Sequence, residues 1–379
     1  MPATPVSSDP IPAPALLATR ETEHAVWAIV FAGGIGSRFW PLSSPERPKP
    51  TLQLLGERSL VSDTIQRLAP IVPRERVLVL TSRDIAEAVK RAAPEIPAYN
   101  VLVEPRPLGT AAALAWGLEV IRSRGNGTAV VCALHADLAS AFPDEFRAGL
   151  MRAVAVALRE RTIVTIGVAP TRPEEDFGYV TPGNALDLAV PVSRGGACHV
   201  TRFEEKPPSD TIAALIQAGA LWHAGIVVGQ VNDLHEKLFA RATEIGHGRD
   251  ALVTGNLPAF AASVRPISIE RGLLERSNDL IVLPVDCGWD DVGTWACLRR
   301  TRELDDDGNG AIGDVHFVDS ASNVVHSEAG AVVMFGCERM LVVTLNGLTF
   351  VTPLDRAADL QSLLDRLPPS LKPDPRRAP

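Results

Sequence analysis

No part of this 379-residue chain is apolar for long enough, without interruption, to supply a helical membrane span. Positive charge is also in short supply. Lys and Arg number 37 against 45 Asp and Glu, a net charge of −8 that argues against a nucleic-acid surface. It leaves room for a small anionic substrate, because a few convergent cations and a metal ion reverse the sign locally. The five cysteines (132, 198, 287, 297, 337) include no close pair with metal-ligand spacing. Several stand in apolar runs, which predicts reduced core residues and a cytoplasmic protein. No internal repeat at a fixed period stands out. The first 24 residues, rich in Pro, Ala, Ser and Thr, lack a basic stretch leading into an unbroken apolar core, so a disordered tail fits better than a signal peptide. Residues 368–379 read as a second tail. What remains is 46% hydrophobic by whole-chain count and long enough for one large α/β domain (25–303) and a smaller one (308–367).

An apolar, β-branched run, Val26 to Phe31, ends in Ala32-Gly33-Gly34-Ile35-Gly36-Ser37-Arg38, and Arg47-Pro48-Lys49-Pro50 follows. That pattern predicts a buried strand feeding a loop whose backbone approaches a ligand closely, with N–H groups converging on phosphate oxygens at a helix N-terminus. Arg38 and Lys49 would neutralise the charge collected there. The loop is not a dinucleotide fingerprint, since Phe39 holds the position of the third glycine. Nor is it a Walker loop, since Ser37-Arg38 follows Gly36. The glycines alone fit a ligand-free tight turn equally well. The two cations, one held in a stiff proline-flanked segment, weigh against that.

Strand-like runs alternate with helical patterns over most of the length: Val77–Thr81, Val101–Val103, Thr128–Leu134 and Thr162–Val168, with helices expected at Asp84–Ala93, Ala111–Arg122 and Asp144–Arg159. The alternation predicts a doubly wound, mostly parallel sheet, in which ligands lie beyond the carboxyl ends of the strands. From about Gly308 short apolar pieces separated by turn residues predict a small β domain, Ala311–Phe317 through Leu348–Thr352, closed by a helix over Arg356–Leu367.

Strand exits are where chemistry is to be sought. His135-Ala136-Asp137 follows one strand, and Asp137 fits a hard divalent cation such as Mg²⁺ or, read by itself, a helix cap. Gly288-Trp289-Asp290-Asp291-Val292-Gly293-Thr294-Trp295 sets two acids between indoles, and a solvated turn explains the acids alone as well. Arg202-Phe203-Glu204-Glu205-Lys206-Pro207 is, as a bare charge cluster, more often a solvated face.

Together these segments resemble the sugar-1-phosphate nucleotidyltransferases. The Phe39-Trp40-Pro41-Leu42 continuation of the glycine loop is most similar to the mannose-1-phosphate guanylyltransferase branch. The resemblance implies that Ala32, Gly33, Gly34, Gly36 and Ser37, with Gly109 and Thr110, hold the nucleotide. Arg38 and Lys49 would act on the triphosphate and its departing pyrophosphate, and Asp137 and Asp291 would bind Mg²⁺. Gly178, Glu205, Lys206 and His223 would hold the sugar and its 1-phosphate, with Lys206 orienting the attacking group. It also implies GTP and mannose 1-phosphate as substrates, GDP-mannose as product, a partial left-handed β-helix at the C-terminus, and a homodimer. The β pieces read alone fit a β-sandwich remnant nearly as well. Four departures from the family pattern bear on specificity. His223 replaces an asparagine, Leu108-Gly109-Thr110 replaces Arg-Asn-Thr, His135 and Leu138 alter the surroundings of the metal aspartate, and Pro50 replaces a glutamine. They keep open the same chemistry on another base or on glucose or heptose 1-phosphate, or a catalytically silent nucleotide-sugar-binding regulator.

Overall fold

The computed structural model describes residues 25–186, 195–357, 359–368 and 370–371. The expected tails, 1–24 and 368–379, lie outside these apart from Pro368, Ser370 and Leu371. Among the described residues no helix is long and apolar enough to cross a membrane.

The large domain begins with β1 (Val26–Phe31), α1 (Leu60–Leu68), β2 (Val77–Ser82), α2 (Ala86–Ala92), β3 (Val101–Glu104), α3 (Thr110–Ser123), β4 (Val130–His135), the short β5 (Leu138–Ser140), α4 (Pro143–Glu160) and β6 (Val164–Val168). It continues with β7 (Gly178–Ala185), β8 (Cys198–Glu205), α5 (Ser209–Gln217), β9 (Leu221–Gln230), α6 (Val231–Arg241), β10 (Ile281–Pro284) and β11 (Trp289–Asp291). Nine of these strands form one sheet in the order β3-β2-β1-β4-β9-β6-β10-β8-β7. Side chains of β1 alternate between two cores, as strand geometry requires. Ala28 and Val30 pack with Val61, Ile65 and Leu150 on one face, while Trp27, Ile29 and Phe31 pack with Leu114, Leu118 and Leu234 on the other. Of the five cysteines, all free, four are buried and Cys337 is half-buried.

The expectation of a mostly parallel sheet holds for β3, β2, β1 and β4 and again for β6 and β10, which pair in parallel. β3, β2, β1 and β4 run parallel, but β9 lies antiparallel between β4 and β6, and β8 and β7 are antiparallel additions beyond β10. The antiparallel arrangement matters for the site, because it brings the start of β9 to the same sheet edge as the ends of β1 and β4. That edge, between β1 and β4, is where the strand order reverses direction.

From Gly310 the chain forms β12 (Gly310–Ile312), β13 (Val315–Val318), β14 (Val324–Ser327), β15 (Val332–Phe335), β16 (Met340–Leu345) and β17 (Leu348–Pro353). The piece expected as one strand, 311–317, is two, broken at Gly313, where φ is +100° and a Cβ would lie 2.1 Å from the Ser327 carbonyl oxygen. β12, β14 and β16 stack in parallel, as do β13 and β15, and β17 returns antiparallel to β16. The closing helix is shorter than expected, Leu360–Arg366, after a 3₁₀ turn at Leu354–Arg356.

Candidate active site

The glycine loop leaves β1 beside the end of β4, because Phe31 and His135 are register partners in the parallel pair. No helix follows it, contrary to expectation. Two 3₁₀ turns, Ser37–Phe39 and Lys49–Thr51, stand in otherwise irregular chain before α1, since prolines at 41, 45, 48 and 50 deny the segment its helical hydrogen bonds. Gly36 is fixed twice over: φ is +77°, and a Cβ would sit 2.3 Å from Lys49 Cβ. The Lys49 amide donates to the Ile35 carbonyl at 2.8 Å and closes the loop on itself. The helix N-terminus that does face the site is that of α3. Gly109, at φ +81°, lets the backbone of Ile267 approach where a Cβ would meet it at 2.6 Å. Thr110 Oγ1 then accepts from the Ile269 amide at 3.0 Å.

Two adjoining cavities open at this edge. The first, about 340 Å³, is lined by Gly33, Gly34, Lys49, Glu104, Gly109 and Thr110, with His135 and Asp137. The second, about 350 Å³, shares Thr110, His135 and Asp137 and adds Gly178, Glu205, Lys206, His223, Glu270 and Asp291. Arg38, Gly36 and Ser37 lie outside both linings. Arg38 is half exposed, its Nη1 3.2 Å from Asp176 Oδ2.

Asp137 and Asp291 enter from the two strands of one ribbon. Asp137 precedes β5, Asp291 ends β11, and these strands pair with Asp291 opposite Leu138. The Val292 amide donates to the Asp137 carbonyl at 3.2 Å. Strand alternation separates the two adjacent acids. Asp290 points away and binds Arg300 (2.6 Å) and Arg172 (3.2 Å), which leaves Asp291 for the cavity. Burial and the neighbouring Asp137 charge push the Asp291 carboxyl up to about 6. Burial acts on Asp137 in the same direction, but the ammonium of Lys49, paired directly with it, holds it below the usual range. Burial would lower Lys49; Asp137 and Asp291 outweigh it and hold the ammonium above its ordinary value. The pair of carboxylates is therefore short of positive charge. That donor set suits a hard divalent cation completing its shell with water and phosphate oxygens. Among the described residues no cluster of three or more His, Cys, Asp or Glu is arranged to hold an ion without such help.

The second cavity is preorganised around Glu205. Gly178 faces it so closely that a Cβ would lie 2.8 Å from Glu205 Oε2. Burial, then the charge of Glu270, raises the Glu205 carboxyl to about 7. Lys206 occupies the left-handed region at φ 53°, an uncommon conformation for a side chain of this kind and one that costs energy. His223 is buried. Thr165 Oγ1 donates to the Ile226 carbonyl at 3.0 Å, so its lone pair accepts Nδ1–H of His223 at 2.7 Å. That fixes Nε2 toward Glu270 Oε1, 3.6 Å away. Glu270 is held at about 2: burial acts against ionisation, and His223 outweighs it.

Of the residues singled out from the sequence, Asp137, Asp291, Lys49, Lys206, Ala32, Gly33, Gly34, Gly109, Gly178, Thr110, Glu205 and His223 line the cavities. Glu104 and Glu270 line them too and were not singled out. Glu104 ends a strand, as His135 does, and the strand-exit rule that found Asp137 applies to it. Glu270 begins a π-helical turn, Glu270–Leu274, for which the sequence carries no signal.

A model of the nucleotidyl transferase family matches residues 27–307. A mannose-1-phosphate guanylyltransferase of Sinorhizobium fredii (strain NBRC 101917 / NGR234) is 28% identical over 350 residues, which make up 89% of this chain and 67% of that protein. The xanthan biosynthesis protein XanB of Xanthomonas campestris pv. campestris (strain B100) is 30% identical over 357 residues, 90% of this chain and 73% of that one. A crystal structure from Thermus thermophilus, described as a mannose-1-phosphate geranyltransferase, superposes with a TM-score of 0.81 at 29% identity, covering 90% of this chain and 98% of the other.

Proposed function

The chain belongs to the nucleotidyl transferase family, and from that premise we propose that it transfers a nucleoside monophosphate from GTP to mannose 1-phosphate, giving GDP-mannose and pyrophosphate. The observation that carries this reading is the pair of adjoining cavities with Asp137 in their shared wall, one glycine-lined and one ringed by Glu205, Lys206 and Asp291. Two polyanionic substrates brought into them meet at that wall.

An oxygen of the sugar 1-phosphate attacks the α-phosphorus. The new P–O bond forms as the bond to the β-phosphate oxygen breaks, and pyrophosphate leaves with the electron pair. The attacking phosphate monoester is ionised near neutral pH, so no general base is needed. The protein's task is positioning and charge neutralisation. The amides of Gly33 and Gly34 and the N-terminus of α3 face the nucleotide. Lys49 exchanges Asp137 for triphosphate oxygens, Lys206 orients the attacking phosphate, and Arg38, loosely held at the rim, swings to the departing pyrophosphate. Mg²⁺ held by Asp137 and Asp291 would neutralise charge between the two phosphates. Glu104 supports guanine: one oxygen of its buried carboxylate meets no donor among the described residues, and guanine offers N–H donors on its pairing edge where adenine N1 is an acceptor. The stacked parallel strands of the C-terminal unit support the partial left-handed β-helix that the resemblance implies.

A second reading, the same transfer to another hexose or heptose 1-phosphate, is favoured by the buried His223–Glu270 pair, which offers a sugar a charged contact where an asparagine would offer a neutral one. Pyrophosphate release measured for each nucleoside triphosphate against mannose, glucose, galactose and heptose 1-phosphates tests both. GTP with mannose 1-phosphate is expected to dominate; silence across the grid would overturn transfer itself. In the same assay Asp291→Asn is expected to cost at least about 10²-fold in kcat while leaving thermal unfolding unchanged within a few degrees.

A further inference from the structure

A third cavity, about 540 Å³, lies apart from the two substrate cavities. Arg58, Arg67, Arg147, Arg300 and Arg302 line it against two carboxylates, Asp63 and Glu303. Such a concentration is unexpected in a chain of net charge −8. Two of the five are neutralised by acids, Arg300 by Asp290 and Arg147 by Asp144. Arg58 is exposed and only 3.9 Å from Asp63. The other two are buried, and among the described residues no ion pair joins either to a carboxylate. Arg302 donates to the carbonyls of Leu54 (2.7 Å) and Val325 (3.1 Å) and faces the His326 ring nitrogen at 3.1 Å. Arg67 is 8% exposed; its guanidinium lies over the Phe146 ring at 5.3 Å, and among the described residues its Nη1 meets no acceptor. Burial pulls both guanidiniums down, Arg302 to about 10.

A buried donor left unmet destabilises the fold, and a guanidinium fork is best satisfied by the paired oxygens of a phosphate. The cavity's volume suits a molecule of sugar-phosphate size. Its wall is the back of the β5–β11 ribbon: Ala139 and Ser140 line it, as does Gly288, where φ is +60° and an added Cβ would lie 2.6 Å from Ala141 Cβ. The front of the same ribbon presents Asp137 and Asp291. We infer that this arginine cavity is an effector site for a small phosphorylated anion, and that its occupancy bears on Asp291 through the ribbon. The effect on rate rests on the transferase reading above; the binding does not.

Isothermal titration of inorganic phosphate and of glucose 6-phosphate into the full chain reads binding without turnover. Saturable binding is expected, and it persists in a Lys49→Ala, Lys206→Ala double variant. In Arg67→Gln it weakens about tenfold. Since replacing buried Arg67 can unsettle α1, Arg58→Ala on an exposed side chain accompanies it, with a loss of about threefold. With transfer substrates present, the bound anion is expected to alter the initial rate of pyrophosphate release about fivefold in the unmodified chain and not in Arg67→Gln. Absence of binding, binding that survives both arginine substitutions, or binding lost with the two lysines overturns the site. Binding with no change in rate overturns its role as an effector.

Discussion

Glu104 illustrates how one side chain ties stability to recognition. Burial raises its carboxyl to about 7, and a backbone hydrogen bond at Leu108 only partly offsets that. A carboxyl raised in the folded state holds its proton there after the unfolded chain has released one. Folding stability therefore declines as pH climbs from about 4.5 through about 7. Glu104→Gln removes that dependence. Thermal unfolding at about pH 5 and about pH 8 should show the variant gaining, relative to the parent, about 2 kcal/mol at the higher pH, allowing for water in the cavity. The same substitution should lower kcat/KM for GTP about tenfold and that for ATP much less, because an amide presents one acceptor where the carboxylate presents two. Equal losses for both nucleotides would remove Glu104 from base recognition. A flat pH difference between parent and variant would remove its titration.

The ends of strands explain why much of this site was legible. β1, β2, β3 and β4 declare themselves through short β-branched runs, and Gly33, Asp137 and Glu104 stand where such runs stop. Motifs such as Gly288 to Trp295 carry enough rare residues to be found, and the period-2 alternation within β11 then assigns the acids, Asp290 outward and Asp291 inward. What was not legible depends on contacts distant in sequence. Nothing near His223 announces Thr165 or Glu270, and nothing near residue 109 announces the backbone of Ile267. That last contact makes a sharp prediction. Gly109→Ala adds a methyl group 2.6 Å from Ile267 N and O at a φ of +81°, so α3 and the 267–270 segment must part. The expected cost is about 2–4 kcal/mol in stability. Because Thr110 and Glu270 move with these segments, KM should rise for both substrates rather than one. A variant with parental urea midpoint and parental KM values would contradict that placement.

The two ends of the described chain are folded together. Phe39, Trp40, Leu52 and Leu54, which follow the glycine loop, share a core with Val292 and Trp295 beyond Asp291 and with Val324, Leu341, Val343 and Leu354 of the C-terminal unit. Trp295 Nε1 donates to the Trp40 carbonyl at 3.1 Å, and Trp40 meets Phe350 edge-on at 5.3 Å. Across this core Arg47 binds Glu328 through two nitrogens at 2.7 and 2.6 Å, two residues before Lys49. That ion pair is partly exposed, 46% and 34% for the two side chains. On its own it is worth under about 1 kcal/mol, so Glu328→Gln should raise KM for the nucleotide only about twofold. The apolar contacts are another matter. Each large side chain deprived of its packing costs about 2–5 kcal/mol, and removing several at once exceeds the roughly 5–15 kcal/mol that keeps a domain folded. A chain ending at residue 303 should therefore fail to hold segment 37–55. Limited proteolysis is expected to cut there first, and pyrophosphate release should vanish even where the remainder of the sheet keeps its circular dichroism. A truncated chain that resists cleavage in 37–55 and turns over at the parental rate would mean that Lys49 and Asp291 are held by the large domain alone.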